Sequence, residues 1–225
     1  MKVLDNKINK FGNDLKSEIK NGDSCYIASA VFSMYGFEEL KKELRNIKEL
    51  NFIFTNPTFI KEKKEQKEER LFELDNLKRE KSIGGSEFEI KLKNKLNGKA
   101  IAKECSQWIK EKVSFKSNVN NNPIQKFMNI NDKITYLNVD EFSSAGLGYQ
   151  KDNTVFNPVT KIDDNYDMTK YYLQSFKDLW NNQEILKDVT DEVVDFISDL
   201  YKENSPEFIY LSLIHISEPT RHAQI

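Results

Sequence analysis

Apolar positions recur at helical spacing in some stretches of the chain and cluster without it in others, and this change of pattern sets out the elements. Phe11, Leu15 and Ile19 stand four residues apart, which predicts a short amphipathic helix from Phe11 to Asn21, closed by Asn21-Gly22. Ser24 to Phe32 is small and apolar without strict alternation, the signature of a strand covered on both faces. A helix follows from Gly36 to about Ile47, with Phe37, Leu40, Leu44 and Ile47 on one face and Lys41, Lys42 and Arg45 on the other. Leu50 to Phe54 returns as a strand, and Asn56-Pro57 stops it. Strand, helix and strand in this span predict a βαβ unit with parallel strands and a right-handed crossover.

The charged run Lys61 to Arg70 reads as a solvated helix or connection, and Leu71, Leu74 and Leu77 give its continuation an apolar stripe before Gly84-Gly85. Phe88 to Leu92 is strand-like, and Ala100 to Val113 carries Ile101, Cys105, Trp108 and Ile109 on one helical face. Short strands are predicted at Val113 to Lys116, Lys126 to Ile130 and Ile134 to Val139, with a turn at Ser144 to Gly148. Helices are predicted at Met168 to Trp180 and at Thr190 to Glu203, the latter N-capped by Thr190. The expected fold is α/β, a mixed sheet with the βαβ unit at its heart and helices on both faces. Residues 1–165 read as this domain and residues 166–210 as a helical extension. The apolar face Val193, Val194, Ile197 and Leu200 is expected to pack on a segment lying beyond it.

Composition narrows the chemistry. The chain has 225 residues, 38% of them apolar and 12% aromatic, enough to bury a core. Lys plus Arg is 34 and Asp plus Glu is 36, so any polyanion site must be a local patch. Cys25 and Cys105 are the only cysteines, which excludes a disulfide framework and fits a reducing compartment. The most apolar run, Cys25 to Phe37, is interrupted by Ser29, Ser33 and Gly36, so no membrane span is expected and the cytoplasm is the expected location.

The two histidines are His215 and His222, near the C-terminus. Without an imidazole before them, Ser/His/Asp and Cys/His nucleophiles and histidine-based zinc sites have no base or ligand. No Gly-x-x-x-x-Gly-Lys-Ser/Thr loop occurs, and Gly146-Leu-Gly148 lacks the third glycine of a dinucleotide loop. One carboxylate route remains: Glu89-Ile-Lys91, with Glu87, could form a Mg²⁺-dependent nuclease strand. The same three residues also read as the wet face of an amphipathic strand.

Several phrases together resemble the phospholipase D-like domain that precedes the motor of some bacterial superfamily 2 (DEAD/DEAH-box type) helicases. They are Cys25 to Ser33 with Gly36-Phe-Glu-Glu-Leu40, Ala102 to Val113, Phe142 to Gly148, and Val189 onward to Tyr210. The resemblance implies a His-x-Lys-x-x-x-x-Asp signature whose histidine attacks phosphorus. Here the lysine is Lys126, the nucleophile position holds Ile124, and the aspartate position falls on Asn131, with Asp132 one residue late. The downstream Gly-Ser-x-Asn-Phe phrase survives only as Phe142 of Asn138-Val-Asp-Glu-Phe142.

Isoleucine cannot form a phosphoenzyme, so the resemblance implies no catalytic residue and no metal in this fragment. What it leaves is either a phosphate groove in which Lys126, Ser143 and Ser144 contact a nucleic-acid backbone, DNA for preference, or a vestigial groove whose fold only docks on the motor. It also implies a longer parent, an ATP-dependent helicase using ATP and Mg²⁺ in a motor C-terminal to this domain. The alternative reading is a protein-docking module of a restriction or defence system containing such a helicase. Leu211 to Arg221 resembles the translation of a transposase adapter used in sequencing libraries. That resemblance implies a native frame ending near Tyr210 and a foreign tail over residues 211–225.

Overall fold

The computed structural model describes residues 1–59, 96–120, 122–149 and 157–202. Its centre is the predicted βαβ unit: β2 (Ser24–Ser29), α2 (Met34–Leu44) and β4 (Glu49–Phe54), the strands parallel with Ile27 opposite Phe52. The remaining described elements are β1 (Lys2–Leu4), α1 (Phe11–Glu18), β3 (Val31–Phe32), α3 (Leu96–Lys112), β5 (Val113–Asn118), β6 (Phe127–Ile130), β7 (Ile134–Leu137), β8 (Glu141–Phe142), β9 (Val159–Ile162), α4 (Tyr166–Trp180), β10 (Leu186–Asp188) and α5 (Thr190–Lys202). The main sheet runs β1-β9-β7-β6-β2-β4-β5-β10, with β4 and β5 also parallel and the outer pairs antiparallel. Together they form a mixed α/β sheet flanked by helices.

A parallel centre has no wet face, which is why β4 is apolar almost throughout. Leu50, Phe52 and Phe54 point to one face and Ile53 to the other, and all four are buried. On the first face Cys25, Ile27, Phe52 and Phe115 meet apolar residues of α1, α2, α3 and α5. Phe32 lies at its middle, with ring centroids 5.0 Å from Phe115, 5.6 Å from Phe52 and 5.9 Å from Phe142. On the second face Ala28, Ile53 and Phe127 are covered by Phe176 of α4 and by Leu186 of β10. Trp108 of α3 stacks on Phe37 of α2 at 4.8 Å and donates its indole N–H to the Leu44 carbonyl at 3.0 Å.

The C-terminal helices are present as expected, and they pack on the sheet itself. Val193, Val194 and Ile197 of α5 are buried in the first-face core, and Ser198 hydrogen-bonds Ser106 of α3 at 3.0 Å. The expectation that this apolar face awaits a segment beyond residue 202 is therefore corrected: α3 and β5 already cover these three residues. Four strands have no counterpart in the sequence reading. β1, β8, β9 and β10 are two to four residues long, and they form by pairing with neighbours distant in sequence. The segment read as one strand from Ser24 to Phe32 is divided. Ala30 donates its N–H to the Asp140 carbonyl at 3.0 Å, and the chain then leaves the main sheet so that β3 can pair with β8. Helix α2 starts at Met34, two residues earlier than its apolar spacing suggests, because the Ser33 hydroxyl caps it by accepting the Tyr35 N–H at 3.1 Å. Among the described residues no helix is long and apolar enough to cross a membrane.

One edge of the sheet is tied to α1 by charge. The Lys161 side chain is 5% exposed and lies 3.1 Å from Asp14, 2.7 Å from Glu18 and 3.3 Å from Asp163. Tyr136 donates its hydroxyl to Asp14 at 2.8 Å, and Lys2 adds a contact at 3.1 Å. Burial by itself would raise the Asp14 pKa, but hydrogen bonds from Tyr136, Lys2 and Lys161 outweigh it and hold the carboxyl below its ordinary 3.8. Burial likewise works against the Lys161 ammonium, and its carboxylate partners hold its pKa above the ordinary 10.5.

Phe115→Ala should lower stability by about 3–5 kcal/mol in urea unfolding, since it removes a ring packed against Phe32, Phe52 and Phe54. Asp14 has a depressed folded pKa, so its contribution is complete above pH 3.8 and is lost as pH falls through the folded value. Asp14→Asn should therefore cost about 1–3 kcal/mol at neutral pH and shrink the acid-induced loss of stability, read from unfolding curves across the acid range.

Candidate functional site

Parallel strands β2, β4 and β5 all end on the same side of the sheet, at Ser29, Phe54 and Asn118. Strand β6 runs the other way, so its first residue, Phe127, stands opposite Ala28 at that same end. Lys126 immediately precedes it. Loops beyond the carboxyl ends of parallel strands are where open α/β sheets present ligand-binding groups.

The Lys126 side chain is 35% exposed, and its ammonium lies 2.8 Å from Oδ1 of Asp140, itself 44% exposed. Asn157 donates its side-chain amide to Oδ2 of the same carboxylate. The main chain of Asp140 is anchored as well: its carbonyl accepts the Ala30 N–H at 3.0 Å and the Ser29 hydroxyl at 2.8 Å. Asn138 closes the segment by donating its N–H to the Lys126 carbonyl at 3.0 Å. The cation and its anion are thus set in place by β2, by the start of β6 and by the loop before β8.

Ser143 and Ser144 follow β8 in a tight turn. Ser143 is fully buried. Its hydroxyl donates to Glu141 at 2.9 Å and accepts the Gly146 N–H at 3.1 Å, so it holds the turn together and does not face solvent. Its expected role as a backbone contact is corrected accordingly. Ser144 is half-buried, and its carbonyl accepts the Tyr149 N–H at 2.8 Å. The turn demands glycine at position 146, where a Cβ would come within 2.1 Å of the Glu141 carbonyl oxygen.

The two other positions of the resemblance fall elsewhere. Ile124 is half-buried against the apolar cluster of Ala28, Phe127 and Phe176, a seat suited to a hydrocarbon. Asn131 lies past the far end of β6 with φ 51°. There its amide accepts the Ser24 N–H at 2.9 Å and donates to Asp23 at 2.7 Å. It is a turn residue of the opposite end of the sheet, remote from Lys126. The residues missed from sequence are Asp140 and Asn157. Asp140 sat inside the degraded phrase ending at Phe142, and Asn157 carried no motif at all.

Burial pushes the Cys25 thiol up to about 12, with Asp23 adding to it, and it raises Cys105 well above the ordinary thiol value. Both stay protonated and are poor nucleophiles at neutral pH. Among the described residues no three His, Cys, Asp or Glu side chains converge in a cation-binding arrangement. Glu87, Glu89 and Lys91, the nuclease alternative, lie outside the described residues, as do the charged run, Tyr210 and the tail. Ser143→Ala should lower stability by about 1–2 kcal/mol in thermal or urea unfolding, because it leaves the Gly146 N–H and the Glu141 carboxylate without their partner.

No family model and no curated protein sequence matches the chain. Solved structures do. A phospholipase D family member, Nuc from Salmonella typhimurium, superposes with a TM-score of 0.44 at 11% identity over 78% of this chain and 88% of its own. Phosphatidylserine synthase of Haemophilus influenzae superposes with a TM-score of 0.45 at 12% identity, over 95% of this chain and 45% of its own.

Proposed function

We propose that this chain is a non-catalytic domain that contacts the phosphate backbone of nucleic acid, and that it serves a larger ATP-dependent helicase. The observation that carries the reading is Lys126, a partly exposed ammonium held at the carboxyl end of the parallel strands. Positioning contacts to phosphate need a placed cation and nothing more. Chemistry on phosphorus would need a nucleophile, and the side chain two residues before the lysine is an isoleucine seated in an apolar cluster. Ser144, half-buried in the adjoining turn, is the second candidate contact.

The helicase partner rests on the sequence resemblance, which runs on to Tyr210. On this reading ATP and Mg²⁺ belong to the C-terminal motor and not to this domain. With a net charge of −2, affinity must come from the local site and fall steeply with salt. Binding of a labelled DNA duplex, followed by fluorescence anisotropy, should weaken by about tenfold or more in Lys126→Glu at low salt. Unchanged affinity in that variant would overturn the site.

A further inference from the structure

We infer that Asp140 is a built-in competitor for the Lys126 ammonium, so that the proposed phosphate site is self-masked and opens only when the carboxylate is displaced. The inference rests on the proposed nucleic-acid reading and adds its regulation.

Lys126 does not point into solvent as an unpaired cation. One oxygen of Asp140 sits 2.8 Å from its Nζ, the distance a phosphate oxygen would take, and the other oxygen accepts the Asn157 amide. Main-chain anchoring at Ser29 and Ala30 keeps Asp140 there even if its side chain rotates away. The pair is a third to nearly a half exposed, so it is weakly held and its partners can exchange. A phosphodiester oxygen carries the same sign and a similar charge, and it must replace the carboxylate to reach Nζ. An isolated phosphate gains little from that swap. A backbone that also makes neighbouring contacts gains more, so Asp140 selects for extended polyanions over free phosphate.

The test compares four variants with the parent protein in anisotropy titrations with the same labelled duplex. Asp140→Asn keeps the side-chain shape and the Asn157 contact but removes the competing charge. It should bind about five- to tenfold more tightly at low salt, the gain shrinking as salt is raised. Asn157→Ala leaves both charges and frees only the carboxylate, and it should tighten binding by a smaller factor. Glu111→Gln removes an exposed acid next to the amino end of β5, at the opposite end of the strands, and should change nothing. In the double variant Asp140→Asn, Lys126→Gln the gain should vanish.

Equal affinity of Asp140→Asn and a parent protein that binds would overturn the mask and leave the proposed function standing. A gain that persists in the double variant, or that Glu111→Gln reproduces, would show a general charge effect and also overturn it. If neither the parent nor Asp140→Asn binds the duplex, the nucleic-acid reading falls and the mask falls with it.

Discussion

Burial of β2, β4 and β5 on both faces is the constraint from which the rest of this structure follows. Three adjacent parallel strands leave no face for water, so each needs a helical cover, and the chain supplies four helices on one side and one on the other. Phenylalanine does much of the filling. Phe32, Phe52, Phe54, Phe115 and Phe142 come from four separate strands, and edge-on and stacked contacts let bulky rings share a narrow layer. Phe32 and Phe142 belong to the small β3–β8 pair, so the same packing also fixes the segments on which the candidate site depends.

That link explains how a surface lysine acquires a defined setting. Asp140 immediately precedes β8, and its carbonyl is held by the end of β2 through Ser29 and Ala30. Gly36 and Gly146 let the backbone of this loop come close: a Cβ on Gly36 would lie 2.7 Å from the Phe142 carbonyl oxygen. The core and the polar site are therefore two ends of one rigid connection. The Lys161 cluster plays a comparable part at the far edge, where α1, β7 and β9 are joined by ion pairs that are too buried to rearrange freely.

Much of this was legible in order of residues. The central βαβ unit, helices α2 to α5 and strands β5 to β7 have enough apolar residues at one period to declare themselves, and their bounds shift by only a few residues in the structure. Lys126 stands out in the sequence as a candidate because it keeps its spacing within a recognisable phrase. The setting of Ser143 carries no such signal, since a hydroxyl in a Ser-Ser-Ala-Gly turn has the same sequence whether it faces solvent or accepts the Gly146 N–H.

The layers and the parallel core are thus written in the sequence alone, because both depend on local periodicity. Only the tertiary structure decided the edges of the sheet, the docking of α5 inside the domain and the pairing of Lys126 with Asp140. Each of these joins residues far apart in the chain. A two- or three-residue strand, a helix face with two possible partners and an ion pair between separate loops carry no periodic signal. Their partners are chosen by closure of the core, when the space and the charges left by the larger elements admit one arrangement.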